Sequence, residues 1–203
     1  MADKKHPDTL GLHCLAYGQD GYFTARQARE CGFSAQLLDH HLHSGRYERM
    51  RRGLYRLRGY PGSSHEQVRA SWLVVGAGRA VVSHESALEL HELSDVLPDA
   101  VHLLVDHRHR GIKPPTSVRI HTTATPLSPG EVMSVEGIRV TSPERAIVDA
   151  AATGTQPEQI EMAVRQSLEW GVATERGLRE RSQRRGRHVE QLIGRAIEHA
   201  DAA

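Results

Sequence analysis

Residues 22–58 carry denser punctuation than any other part of the chain, and it leaves few folds open. Thr24 and Gln27 stand three apart ahead of Ala25–Glu30, the spacing at which two side chains satisfy each other's orphan backbone N–H groups at a helix start. Cys31-Gly32-Phe33 breaks that helix. Ser34 caps a second, from Ala35 to about His43, and Gly45 stops it. Arg46–Met50 and Leu54–Arg58 are short β-like runs around Arg51-Arg52-Gly53. A short helix, a tight turn, a second helix and a basic hairpin is the layout of a winged helix-turn-helix, which puts its second helix into the major groove of duplex DNA.

Charge points the same way. Between Tyr22 and Tyr60 the bases are Arg26, Arg29, Arg46, Arg49, Arg51, Arg52, Arg56 and Arg58, against Glu30, Asp39 and Glu48. Eight minus three gives +5 on a chain whose net charge is +1, so the remainder sums to −4. A local surplus on a near-neutral chain marks one polyanion-binding module. Arginine suits that role because its planar fork contacts phosphate or guanine bidentately. On the second helix Ala35, Leu38 and Leu42 are expected to face the core. Gln36, His40 and His43 then fall on the opposite side, where a recognition helix reaches base edges. The expected DNA-binding set is Thr24, Arg26, Ser34, Gln36, His40, His43, Arg46, Arg49, Arg51, Arg52 and Arg56. The competing reading of each is a solvated helix or hairpin face.

The rest of the chain predicts an α+β protein of two domains. Asp8 or Thr9 caps a first helix to about Tyr17, completing an N-terminal winged helix-turn-helix over 1–60. Gly59-Tyr60-Pro61-Gly62-Ser63-Ser64 is the expected linker. Residues 61–203 read as a mixed α/β domain with a small sheet over 80–141 and a C-terminal helical bundle over 142–203. Helices are expected from Ser64 to about Val75 and over Glu85–Leu93. Strands are expected at Ala80–Ser83, Val101–Val105 and Ser117–His121. Val132–Val135 and Ile138–Thr141 form a hairpin around Glu136-Gly137. Ser142 with Pro143 opens one late helix, and a Thr155/Glu158 capping box opens the next. Thr174 caps a third, and Val189–Ala200 is the last, with Leu192, Ile193, Ala196 and Ile197 inward.

Catalytic signals are thin, and the expectation is not an enzyme. Pro98-Asp99 followed by Asp106-x-Arg108 echoes the carboxylate pattern of metal-dependent nucleases. The separation is short, however, and arginine cannot serve as a lysine does, because it holds its proton near neutral pH. Asp106-His107-Arg108-His109 reads better as a polar turn after a strand. His40-His41-x-His43 sits on one helix, where adjacent side chains diverge by about 100°, so the three cannot share one ion. No metal site and no cofactor are expected. Cys14 and Cys31 lack metal-type spacing, and two lone thiols fit a reducing cytoplasm. The Met1–Pro7 segment has no apolar core of a signal peptide, and no apolar run is long enough to span a bilayer. A second basic run, Arg176, Arg179, Arg181, Arg184, Arg185 and Arg187, lies late in the helical region.

Two blocks of the chain resemble AbiEi-type antitoxins, the regulatory partners of type IV toxin–antitoxin systems. One runs from Gly21-Tyr22-Phe23-Thr24-Ala25-Arg26-Gln27-Ala28 through Arg51-Arg52-Gly53-Leu54-Tyr55-Arg56-Leu57. The other is Glu136-Gly137-Ile138-Arg139-Val140-Thr141-Ser142-Pro143-Glu144-Arg145-Ala146-Ile147-Val148-Asp149, with Ser83-His84-Glu85-Ser86-Ala87-Leu88 between them. The resemblance implies an N-terminal winged helix that represses its own operon at inverted repeats. It also implies a C-terminal domain that counters a nucleotidyltransferase-like toxin. Within that domain Arg179, Arg184 and Arg185 are the expected toxin-facing residues, on exposed helix faces beyond the most family-like block. Two alternatives stay open: a ligand-responsive transcription regulator without a toxin, and an enzyme, either a degenerate nuclease or an antitoxin that chemically modifies its toxin.

Overall fold

The capping residues read from the sequence organise the first part of the chain. The computed structural model describes residues 6–201; Met1–Lys5, which opened the segment read as lacking a signal peptide, lie outside them. Asp8 accepts a hydrogen bond from Gly11 N (2.8 Å) and opens α1 (Thr9–Tyr17). After β1 (Tyr22–Thr24), α2 (Ala25–Glu30) begins with the expected reciprocal box: Gln27 N donates to Thr24 Oγ1, and Thr24 N donates to Gln27 Oε1 at 2.8 Å. Ser34 Oγ accepts from Leu37 N (3.1 Å) to open α3 (Ala35–His43). The hairpin follows as β2 (Tyr47–Arg51) and β3 (Leu54–Leu57). β1 adds to β3, giving an antiparallel sheet in the order β1-β3-β2. β1 had no sequence signal, since three residues are too few to show a period of two.

Leu12, Ala16, Phe23, Ala28, Phe33, Leu38, Tyr47, Tyr55 and Leu57 form the core of this unit. Phe23 stacks on Tyr55 and meets Tyr47 edge-on at 4.9 Å between centroids, geometries that add to plain area burial. The chain divides into two compact units, Met1–Gly76 and Ala77–Ala203. The first therefore runs past the expected linker at 59–64 and takes in α4 (Glu66–Val75). Three contacts fasten α4: Tyr22 Oη donates to Glu66 at 2.6 Å, Arg56 pairs with Glu66, and Arg69 Nε reaches Asp20 at 2.5 Å.

The second unit is a five-stranded sheet with helices. Its strands are β4 (Ala80–Val82), β5 (Val101–Asp106), β6 (Val118–Thr123), β7 (Val132–Val135) and β8 (Ile138–Thr141), in the order β6-β5-β4-β8-β7. β4 pairs antiparallel to β5 and parallel to β8; β5 and β6 are parallel, and β7–β8 is the expected hairpin. Its turn residues Glu136 (φ 49°) and Gly137 (φ 79°) take the left-handed values a tight hairpin needs. Val101–Val105 is buried at every position, as in a strand covered on both faces.

The helices are α5 (His84–Leu90), α6 (Pro143–Ala152), α7 (Pro157–Glu169), α8 (Glu175–Gln183) and α9 (Arg187–Asp201). α9 buries Leu192, Ile193, Ala196 and Ile197 as the periodicity required. One cap differs from expectation. α7 starts from Gln156 without a side-chain cap, because Thr155 Oγ1 donates instead to Glu85 at 2.7 Å. Among the described residues, no helix is long and apolar enough to cross a membrane.

Candidate nucleic-acid interface

α3 presents a divided surface. Leu38 and His41 are buried, and the His41 ring lies against Tyr47 (5.1 Å) and Phe33 (5.9 Å). Burial, reinforced by Arg46, holds the His41 pKa below the ordinary histidine value. His41 is thus a core residue, and Ala35, expected inward, is exposed in the first turn. Gln36, Asp39, His40 and His43 are exposed on the other side. His43 is partly steadied, its Nδ1 lying 2.8 Å from Asp39 O. Ser34 and Thr24 direct their hydroxyls to the helix starts just described, so within the expected set they position α3 and α2.

The hairpin supplies the charge. Its register shifts between Arg49 and Arg51, leaving Met50 as the extra residue of a bulge, a device that bends and twists a strand. Gly53 turns the chain at φ 78°, with nothing within 4 Å of the place a Cβ would take. Arg46, Arg49 and Arg52 are exposed, Arg51 is half-buried, and none of the four forms an ion pair among the described residues. Arg26 instead pairs with Glu30 (3.5 Å), and Arg58 with Glu48 (3.2 Å).

Arg56 departs from the sequence expectation. Its side chain is only 12% exposed and pairs with Glu66. It also donates to Pro61 O (3.0 Å) and Asp20 O (3.3 Å), and stacks over Tyr22 at 5.0 Å. A guanidinium with these partners is an internal tie between β3, α4 and the α1–β1 turn. Glu66 and Asp20, both outside the charge-rich stretch, draw it inward.

An exposed helix face thus lies beside an arginine-bearing hairpin on one small unit. Residues 15–58 match the family described as "Transcriptional regulator, AbiEi antitoxin". The match falls wholly within the first unit and spans α2, α3 and the hairpin. No curated protein matches the chain. Among solved structures, the chain is similar to the "Crystal structure of RV2827C protein from Mycobacterium tuberculosis". The TM-score is 0.60 at 13% identity, over 93% of this chain and 75% of that one. At that identity the likeness is one of fold.

The late arginines of the second unit divide. Arg184 is exposed, and Arg179 is exposed with a loose contact to Glu175 at 3.9 Å. Arg185 is exposed too, with 38% of its side chain open, but it also pairs with Asp149, whose side chain is fully buried, and so ties the surface to an internal network. Arg145 reaches Asp149 (2.7 Å) and Glu131 (2.8 Å), and Arg181 reaches Glu131 (2.8 Å) and Glu144 (3.3 Å). Burial works to raise the Glu131 pKa, but hydrogen bonds from Ser128 and Arg145 outweigh it and pull the pKa down to about 2. Arg145 and Asp149 come from the second block singled out in the sequence; their place in the core network gives that block a structural reason.

The nuclease-like carboxylates are not brought together. Asp99 precedes β5 and pairs with Arg119 (3.3 Å), whereas Asp106 ends β5, caps the turn His107–His109 and pairs with Arg108 (3.0 Å).

Proposed function

We propose that the chain is a DNA-binding transcriptional regulator of the antitoxin type, with Met1–Gly76 as a winged helix-turn-helix. The observation that carries this reading is the unpaired arginine edge, Arg46, Arg49, Arg51 and Arg52, beside the exposed Gln36, His40 and His43. α3 would enter the major groove, with Gln36 and His40 toward base edges, and the hairpin would lie on phosphates. Its operator would be inverted repeats in its own promoter, so that it represses its own operon in the cytoplasm. The second unit is assigned to neutralising a nucleotidyltransferase-like toxin, and no catalytic step is assigned to the chain.

The test is equilibrium binding to the upstream promoter across salt concentrations. With roughly four or five phosphates neutralised per protomer, log K should fall with log salt at a slope of about −4. A flat dependence removes the DNA reading. The second half of the proposal is tested by co-expression with the neighbouring toxin. The chain from Ala77, with α4 left to the first unit, should protect cells without repressing the promoter. Protection by Met1–Gly76 alone would reverse the division.

A further inference from the structure

Three histidines far apart in sequence converge in the second unit. His84 opens α5, His102 lies in β5 and His121 in β6, which pair in parallel. One nitrogen from each lies within 4.8 Å of the others. The rings of His84 and His121 stack at 3.6 Å between centroids, and His102 is 5.0 Å from His121 and 5.7 Å from His84. His102 is 1% exposed, yet neither of its ring nitrogens has a hydrogen-bond partner, and His121 Nε2 is likewise buried and unpartnered. Buried polar groups without partners are costly and rare. Two such rings on adjacent strands, with His84 stacked on one of them, call for a shared partner.

The surroundings are those of a ligand set. Ser83 stands at the N-cap of α5 but its hydroxyl does not cap the helix; it lies 2.8 Å from His84 Nδ1. A hydroxyl bonded to Nδ1 leaves Nε2 to ligate, as outer partners of metal-bound histidines do. His84 has φ 53°, in the left-handed region that residues other than glycine adopt uncommonly. Glu85 and Asp99 each bring a carboxylate oxygen within 4.8 Å of a His102 nitrogen, the class of group that orients a ligating imidazole.

We propose that His84, His102 and His121 bind a divalent transition-metal ion of the zinc type, joining α5 to β5 and β6. Imidazole-only donors suit such an ion, and three protein ligands leave a tetrahedral position for solvent. Bonds of about 2.0–2.1 Å would draw one nitrogen of each ring to a common centre. The site is independent of the DNA-binding surface, and its test does not depend on that reading.

The experiment uses the full-length, tag-free chain stripped of metal, with Zn2+ as probe and Co2+ as its spectroscopic substitute. One equivalent should bind, Co2+ should show tetrahedral visible absorption, and X-ray absorption should count three imidazole nitrogens. Excess Zn2+ should raise the unfolding temperature. His102→Leu and His121→Phe keep apolar volume and should abolish stoichiometric uptake. Ser83→Ala should weaken it by roughly 10–100-fold. A His40→Ala/His43→Ala variant should bind as the parent does, which excludes the surface histidines of α3. No uptake by the folded parent chain, fewer than three imidazoles on the bound ion, or uptake untouched by His121→Phe overturns the proposal. If the core variants do not fold, the imidazole count on the parent chain decides.

Discussion

Arg52→Ala and Arg56→Ala remove the same charge from the same hairpin and should fail in different assays. Arg52 is exposed at the turn and forms no ion pair among the described residues. Its loss should change stability by no more than about 0.5 kcal/mol. It should remove one phosphate contact, lowering the salt slope by about 0.9 and weakening binding to all duplexes alike. Arg56 is 12% exposed and its loss strands Glu66, whose side chain is 32% exposed, with only the Tyr22 hydroxyl left to it among the described residues. Breaking a fully buried pair costs roughly 3–5 kcal/mol; because Glu66 reaches water, about 2 kcal/mol is the better figure. For a unit of this size that corresponds to a fall in Tm of about 8–16 °C. Calorimetry reads the stability, and fluorescence anisotropy with a labelled promoter duplex, well below either Tm, reads the slope. Arg56→Ala should retain the parental slope wherever it is folded. An Arg56→Ala protein with unchanged Tm and a reduced slope would place that guanidinium on DNA and refute its assignment as an internal tie.

Gln36→Ala and His40→Ala should change preference among operator variants by roughly 1–3 kcal/mol for a true base contact, while leaving the salt slope alone; competition binding against a panel of point-substituted duplexes measures this, and a uniform loss would make them bystanders. Glu131 contributes to the acid dependence of the second unit. Its folded pKa, about 2, lies below the ordinary value of 4.5, so its contribution is fully present above pH 4.5 and is lost as pH falls toward 2. Glu131→Gln should therefore reduce stability at neutral pH and flatten the decline between those values in acid denaturation followed by circular dichroism; a parallel decline in parent and variant would be contrary to this.

Elements whose cause is local were legible in the sequence. The Thr24/Gln27 box, the Ser34 cap, the Glu136-Gly137 hairpin and the inward face of α9 each depend on residues within a few positions. β1 was not, because it exists only as a partner for β3. The Thr155/Glu158 box had the right spacing and failed, since Thr155 found Glu85 across the fold. α4 was read as a helix, but its place in the first unit rests on Asp20 and Glu66 meeting arginines. The strand order β6-β5-β4-β8-β7 likewise comes from long-range pairing that periodicity does not encode.

The candidate sites follow the same division. The exposed face of α3 follows from helical spacing, apart from His41, which the aromatic cluster of Phe33 and Tyr47 draws into the core. The histidines of the second unit carried no sequence signal, because the ligand spacing lies in β5–β6 register and not along the chain. The arginines show why a linear charge count needs the fold. Eight bases against three acids gave +5 over Tyr22–Tyr60. Glu66, outside that window, packs on the same unit and takes up Arg56, so eight against four leaves +4. Arg26 and Arg58 are matched by Glu30 and Glu48. The charge left over belongs to Arg29, Arg46, Arg49, Arg51 and Arg52, with Asp39 the acid against them. Four of those five arginines lie between the end of α3 and the hairpin turn, where a polyanion would meet the unit.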